Sequence, residues 1–241
     1  KYKLRTMLTS FFSNSRPSHF IVVSLLLFAG CFFNIIHDLN EVTNYDSIVK
    51  LLIQNTMFLL FFLLLSFIIK KNRLTQSNSY ALFLFCCFIL MIPFFFNDSN
   101  LAFSFFFLLL ALRRILSISS QKNIEKKILD ASIWITIAAL FYFWSLFFFI
   151  LFFISIIQLT STNYKLVFIP FVGFTSVIML TSVYHTMVNN DIWSFLDYKD
   201  QISFDFSPYY SLKIIIPSIF ILLSGIFAFV YKSITISKTP L

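Results

Sequence analysis

Residues 140–159, LFYFWSLFFFILFFISIIQL, contain seven phenylalanines, one tyrosine and one tryptophan, and they carry no charged side chain. They belong to a longer uncharged run, residues 131–164, which would measure about 51 Å as a single helix at 1.5 Å per residue. Because the hydrocarbon core of a bilayer is about 30 Å thick, the run predicts two short helices, over residues 128–141 and 144–159. Tyr142 and Trp144 are expected at the break, near a membrane interface. One strongly tilted helix is the alternative, because no Gly, Pro or Asn marks a turn.

The composition of the whole chain is that of a membrane protein. Of its 241 residues 12% are charged and 59% are hydrophobic, with a mean hydropathy of +0.88, whereas a soluble domain has about a quarter charged residues. Since one crossing takes about 20 apolar residues, the chain is long enough for about six to eight crossings. We predict an all-α transmembrane bundle of eight spans, or of seven if residues 128–159 cross once. The other spans are expected at residues 20–36, 51–69, 80–96, 101–117, 166–184 and 212–230.

The distribution of basic residues predicts the orientation of these spans. With eight spans and both termini cytoplasmic, all of the 18 Lys and Arg residues except Lys50, Lys199 and Lys213 fall on the cytoplasmic side. With seven spans, the external ones are Lys50, Lys165, Lys232 and Lys238. Both arrangements satisfy the positive-inside rule and place the N-terminus in the cytoplasm. The net charge of +8 therefore indicates membrane topology rather than nucleic-acid binding.

This topology predicts one membrane domain with short flanking segments. Residues 1–17 mix basic and apolar side chains and predict a cytoplasmic interfacial helix, with a disordered tail as the alternative. Residues 18–231 are expected to form the membrane domain, with an external loop at 185–211, and residues 232–241 a cytoplasmic tail.

Few side chains could carry chemistry. Two groups of His, Asp and Glu residues on the external side could together bind a divalent metal or supply a general base, although their spacing matches no metal motif. They are His37, Asp38, Glu41 and Asp46 after the first span, and His185, Asp191, Asp197, Asp200 and Asp205 between the last two spans. Solvated acidic loops are the preferred interpretation. No nucleotide-binding or zinc motif occurs, so no cofactor is expected. The scarcity of ionisable residues inside the spans disfavours an ion-coupled transporter.

Two further groups of residues are candidate binding sites. The external loop contains Trp193, Phe195 and Tyr198 among acidic residues, which predicts either a partner-docking surface or a helix on the outer leaflet. Arg113 and Arg114 end the fourth span, where they could hold a lipid phosphate. The preferred interpretation of this pair is a topology anchor whose side chains reach the headgroups.

Two stretches resemble an uncharacterised family of multi-pass membrane proteins from bacteroidete-type bacteria. They are MLTSFFSNSRPSHFI at residues 7–21 and LALRRILSISSQKNIEKKILDASIWITIAALFYFWSLFFFILFF at residues 110–153. The resemblance implies the inner membrane of a Gram-negative cell and no particular activity. It also implies a translation start at Met7, which would make residues 1–6 an upstream extension.

The middle of the chain is also similar to the membrane scaffold of GT-C glycosyltransferases, which use polyprenyl-phosphate sugars. A basic cytoplasmic loop, a short apolar helix, an aromatic break and a second apolar helix carry this likeness. It implies catalytic acids in the first external loop, where Asp38 and Glu41 stand. That loop is short, however, and it lacks a paired acidic motif.

Three hypotheses for the function of the chain remain. The favoured hypothesis is a non-catalytic subunit of a bacterial envelope complex for secretion, motility or assembly. Its expected partners are other integral membrane proteins, in a hetero-oligomer, and phospholipids, with no nucleic acid. A GT-C-like glycosyltransferase or a degenerate relative is the first alternative, and a transporter is the second.

Overall fold

The computed structural model describes residues 17–37, 45–75, 79–91, 98–159, 164–190, 210 and 212–237. Eight α-helices make up most of this part of the chain, and each overlaps one predicted apolar run. The prediction of an all-α chain is therefore confirmed. The helices are α1 Pro17–His37, α2 Tyr45–Asn72, α3 Tyr80–Met91, α4 Ser99–Ser117, α5 Ile124–Phe141, α6 Phe148–Leu159, α7 Ile169–Asn189 and α8 Leu212–Ser237. Short 3₁₀ turns lie at Ile118–Ser120, Phe143–Phe147 and Tyr164–Val167.

Some boundaries differ from the predicted ones. Helix α7 continues to Asn189, so the first residues of the predicted 185–211 loop are helical. Helix α8 continues to Ser237, into the predicted tail at 232–241. In the α7 extension the Thr186 hydroxyl is satisfied within its own helix, because it donates to the Ser182 carbonyl at 2.7 Å. The predicted interfacial segment lies outside the described residues, apart from Pro17, which begins α1.

The uncharged stretch that opened the sequence analysis is divided between two helices, α5 and α6. Tyr142 ends α5 in an extended conformation, with φ −147° and ψ 107°, and the 3₁₀ turn Phe143–Phe147 leads into α6. The prediction of a break near Tyr142 and Trp144 is therefore confirmed. Helix α5 is about 27 Å long, and the 3₁₀ turn and α6 together are about 28 Å. Each half is thus close to the thickness of a bilayer core.

Tertiary packing explains why the helix breaks without Gly or Pro. The Phe141 ring stacks on Phe103 and Phe107 of α4, with centroids 5.4 and 5.5 Å away. Four residues after Phe141, the buried hydroxyls of Ser104 and Ser145 are 2.5 Å apart, which ties the 3₁₀ turn to α4. Aromatic residues are only moderate helix formers, so these contacts with α4 outweigh the tendency of the chain to continue as a helix.

The Ser104–Ser145 contact gives a first prediction. Replacing Ser145 with Ala should lower the free energy of unfolding by about 1 kcal/mol, because a hydroxyl buried on α4 loses its partner. Denaturant unfolding in mild detergent measures this. The matched control is Ser155→Ala on α6, where the serine donates only to the Leu151 carbonyl of its own helix. Equal effects of the two changes would show that the contact between α4 and the turn does not fix the break.

Two clusters of buried apolar residues form the core, and α4 contributes to both. The first joins α1, α2, α3 and α4 around three fully or almost fully buried phenylalanines, Phe58, Phe61 and Phe62. The second joins α4, α5 and α6 with the turn before α7, and its largest members are Ile128, Ile135, Phe152 and Ile156. Helix α4 thus connects the N-terminal and C-terminal halves of the bundle.

Small side chains let α5 lie close to its neighbours. Ala131, Ser132, Ala138 and Ala139 are all buried, and α5 packs against both α4 and α7. Gly173 of α7 faces Ser132 so closely that an added Cβ would overlap the Ser132 hydroxyl. Such small-residue contacts are typical of helix pairs in membranes, where close van der Waals packing drives association.

Length and composition support a membrane location for this bundle. Two helical stretches of the described chain, Ser99–Ser120 and Lys165–Asn189, are long and apolar enough to cross a bilayer. Four shorter apolar helices accompany them, at Ser18–Gly30, Tyr80–Met91, Phe143–Gln158 and Ile214–Phe227.

Candidate functional site at the basic end of the bundle

Eight of the twelve Lys and Arg residues in the described part of the chain gather where several helix ends meet. We call this region the basic end, and it consists of Lys70, Lys71, Arg73, Arg113, Arg114, Lys122, Lys126 and Lys127. The C-termini of α2 and α4 bring the first five residues, and the connection from α4 into α5 brings the other three. Cations at helix C-termini are favourable because the helix dipole places partial negative charge there. The same end holds the N-termini of α1 and α3, which are joined by a hydrogen bond between His19 and Ser79 at 3.2 Å.

The two arginines predicted to hold one lipid phosphate point to different helices. Arg114 forms an ion pair with Asp130 of α5, with 3.0 Å between Nη2 and Oδ2. Arg113 instead reaches α2, where its Cζ lies 4.8 Å from the centroid of the Phe67 ring. Arg113 and Arg114 are adjacent on α4, so their side chains leave the helix about 100° apart. The predicted pair is therefore divided in the structure.

The partner of Asp130 is across the helix interface. Lys126 and Lys127 lie three and four residues before Asp130 on the same helix, a spacing that allows ion pairs, but the carboxylate pairs with Arg114 because the C-terminus of α4 lies beside the start of α5. Lys127 turns back, and its Nζ donates to the Ser117 carbonyl and to Ser120 Oγ, both at 2.6 Å. The Arg114–Asp130 pair is partly exposed, at 43% and 35%, so it is expected to contribute no more than about 1 kcal/mol.

Three cations of the basic end contact aromatic rings instead of carboxylates. Lys71 Nζ lies 5.3 Å from the centroid of Phe67, the same ring that Arg113 covers. Lys70 Nζ lies 4.6 Å from the ring of Phe20 on α1. Cation–π contacts of this kind contribute about 0.5–1 kcal/mol at exposed sites. They hold three positive charges in place without neutralising any of them.

A small, mainly apolar cavity with two serines in its lining lies beside Lys70. Its volume is about 10 Å³, enough for one water molecule, and it is enclosed mainly by α1, α2 and the start of α3. Ser66, which is 6% exposed, lines it and has no hydrogen-bond partner among the described residues. Ser79 lines the opposite side and contacts His19. Polar groups therefore continue from the basic end into the bundle.

A second, purely apolar groove separates α6 from α7. It has a volume of about 190 Å³ and is lined by Phe149, Phe153, Pro170, Phe171 and Phe174. An apolar cavity of about 150 Å³ can hold a benzene-sized molecule, so this groove is large enough for part of a lipid chain. No polar side chain lines it, and it offers no chemistry for a reaction.

Most of the other predicted site residues lie outside the described part of the chain, except that His37 ends α1, Asp46 lies in the first turn of α2 and His185 lies near the end of α7. Asp38 and Glu41 fall in residues 38–44, and Trp193, Phe195 and Tyr198 fall in residues 191–209. These predictions therefore remain predictions. No group of three His, Cys, Asp or Glu residues that could hold a metal ion occurs among the residues that the structure describes.

Sequence reasoning missed the contribution of α2 to the basic end. Phe67 and Lys71 are four residues apart and so lie on one face of a helix, a spacing from which a ring–cation contact could have been predicted. The approach of Arg113 to that ring, and of Lys70 to Phe20, depends on which helices are neighbours. Sequence spacing carries no signal for those two contacts.

One family model matches the chain, over residues 11–239, and its description is "Family of unknown function (DUF6427)". No curated protein and no solved structure shows significant similarity to the chain. The function must therefore be argued from the geometry above.

Proposed function

The chain belongs to the DUF6427 family of unknown function, and we propose that it is a non-catalytic, multi-pass subunit of a bacterial inner-membrane complex. In this proposal the eight helices cross the membrane and the basic end faces the cytoplasm. The partners are other integral membrane proteins, in an envelope complex for secretion, motility or the assembly of envelope structures. The external loop with Trp193, Phe195 and Tyr198 is the proposed docking surface.

The exposed apolar surface of the last two helices is the observation that carries the proposal. On α7 the exposed fraction is 72% for Leu180 and 81% for Met187, and on α8 it is 66% for Leu222 and 73% for Phe227. An apolar surface of this extent requires lipid or protein around it. Helix α8 contacts the rest of the described bundle mainly through α3, where Phe220 and Phe88 have centroids 6.3 Å apart. Much of α8 thus remains available to a partner.

The position of the basic residues supports the orientation. The end of α2, the end of α4 and the start of α5 bring their Lys and Arg side chains to the same end of the bundle. In membrane proteins such a concentration is typical of the cytoplasmic side.

The buried polar groups support a structural role. They are His19, Ser66, Ser79, Ser104, Ser132, Thr136 and Ser145. Ser132 donates to the Leu129 carbonyl at 2.7 Å and Thr136 to the Ser132 carbonyl at 2.8 Å, while Ser104 and Ser145 contact each other. Hydroxyls bonded in this way join helices or satisfy their own backbone, which is the usual role of small polar residues in membrane bundles.

Purification of the tagged full chain from its native membrane in mild detergent tests the proposal. We expect a partner membrane protein to co-purify at constant stoichiometry. Replacing Trp193 and Phe195 with Ser should reduce the retained partner at least tenfold, because aromatic anchors carry much of the energy of an interface. Quantitative mass spectrometry of the purified sample measures this ratio.

The matched control replaces two exposed aromatic residues elsewhere, Phe147 and Phe168, with Ser. Their exposed fractions are 61% and 68%, so the fold should tolerate both changes and the partner should be retained. A chain that purifies without any stoichiometric partner would contradict the proposal. Equal loss of the partner in both double variants would contradict the assignment of the docking surface to the external loop.

A further inference from the structure

We propose that Lys71 and Arg113, which both contact the ring of Phe67, bind the headgroup phosphate of an anionic phospholipid. The inference rests on the membrane location in the proposed function and is independent of any protein partner. The proposed site consists of one residue from α2 and one from α4, and not of the adjacent pair Arg113 and Arg114.

The two cations are held close together by one ring. Lys71 Nζ lies 5.3 Å and Arg113 Cζ 4.8 Å from the Phe67 centroid, so the charges are no more than about 10 Å apart, within about one Debye length. No carboxylate pairs with either of them in the described part of the chain, whereas Arg114 already has Asp130. Two like charges this close favour an anion between them.

The donor types fit a phosphate. Arg113 offers a planar fork that can donate two parallel hydrogen bonds to phosphate oxygens, and Lys71 adds a compact charge with three donors. Lys70, the preceding residue of α2, contacts Phe20 of α1 instead, so it adds positive charge near the site rather than a ligand to it. Basic pockets between membrane helices on the cytoplasmic side are typical sites for anionic lipid headgroups.

The surface below the cations fits the rest of a lipid rather than free phosphate. Phe67, Leu63 and Leu60 follow Lys71 down one face of α2 and are exposed by 42%, 58% and 46%. Residues at this spacing form a continuous stripe along a helix, and from Lys71 to Leu60 the stripe is about 16 Å long. This matches about half of a bilayer core, so an acyl chain can lie along the stripe while its phosphate stays at Lys71.

Native mass spectrometry of the full chain released from nanodiscs tests this site. One set of nanodiscs contains phosphatidylcholine alone, and the other contains phosphatidylcholine and phosphatidylglycerol in equal parts. We expect wild type to retain phosphatidylglycerol selectively. The double variant K71Q/R113Q should retain it roughly ten- to thirtyfold less well, equivalent to about 1.4–2 kcal/mol.

The matched control is K122Q/K126Q, which removes the same charge from two exposed residues of the basic end that contact no ring or carboxylate among the described residues. It should retain phosphatidylglycerol like wild type. If both double variants lost the same amount of bound phosphatidylglycerol, the binding would be a general effect of positive charge. If K71Q/R113Q retained as much phosphatidylglycerol as wild type, the two residues would be topology anchors only. Either result overturns the proposal.

A second measurement remains informative if the double variant folds poorly. Phosphatidylglycerol should raise the thermal unfolding midpoint of wild type, because a ligand that binds only the folded state stabilises it. The single variant Lys71→Gln should lose most of this lipid-dependent increase, while in phosphatidylcholine its midpoint should fall only by the small amount that the lost contact with Phe67 accounts for. Protection of wild type by inorganic phosphate equal to that by phosphatidylglycerol would contradict the choice of a lipid. The partner test above is unaffected by either outcome.

Discussion

Replacing Phe61 with Ala should lower the free energy of unfolding by about 3 kcal/mol, one of the largest effects expected for a single substitution in this chain. Phe61 is fully buried, and its ring contacts Phe58, Phe105 and Phe106 with centroids 5.6, 5.4 and 6.2 Å away. The value is at the low end for a buried phenylalanine in soluble proteins. In a bilayer no apolar surface is transferred from water when helices pack. The destabilisation by Phe61→Ala therefore comes mainly from the lost van der Waals contacts and from the cavity that the smaller side chain leaves.

Denaturant unfolding in detergent micelles measures this loss, and Phe168→Ala is the matched control. Phe168 is 68% exposed just before α7, so its removal should change the free energy of unfolding by less than about 0.5 kcal/mol. If the two changes cost the same, the aromatic cluster around Phe61 would not be the core of the N-terminal half.

The helices of this chain could be predicted because most apolar runs are comparable in length to the thickness of a bilayer core and are bounded by polar residues. The break at Tyr142 followed from length alone, since residues 131–164 are too long for one crossing. Its position was confirmed, but its cause was not in the local sequence. Stacking of Phe141 on α4 and the Ser104–Ser145 contact depend on residues about 40 positions away.

The candidate site was predicted less well, for a related reason. The sequence brings Arg113 and Arg114 together because they are adjacent, whereas helix geometry separates their side chains by about 100°. Which residue each one meets is then decided by the neighbouring helix, α2 for Arg113 and α5 for Arg114. A single sequence contains no direct signal for helix neighbours, so the contact of Arg113 with the ring that Lys71 also contacts could not be predicted.

Replacing Gly173 with Ala should destabilise the bundle by about 1–3 kcal/mol, although alanine is the better helix former by about 1 kcal/mol. The new Cβ would overlap Ser132 Oγ, and it would lie 3.0 Å from Ser132 Cβ and 3.2 Å from the Leu129 carbonyl oxygen. Rotation of the serine relieves only the first contact, because the other two atoms are fixed by the α5 backbone. The helices must therefore move apart and lose the packing that joins α5 to α7.

The same substitution at Gly225 of α8 is the control, and it should have the opposite sign. Nothing lies within 4 Å of the Cβ position there, so Gly225→Ala should keep the gain in helix propensity and leave stability unchanged or slightly higher. Adding Ser132→Gly to Gly173→Ala should restore part of the lost stability, since both serine contacts disappear, whereas Ser132→Ala should restore less because its Cβ remains. The measurement compares the unfolding midpoints of five proteins, which are wild type, the two single glycine variants and the two double variants. If Gly173→Ala were as stable as Gly225→Ala, the close contact between α5 and α7 would be wrong, and with it the central position of α5 in the bundle.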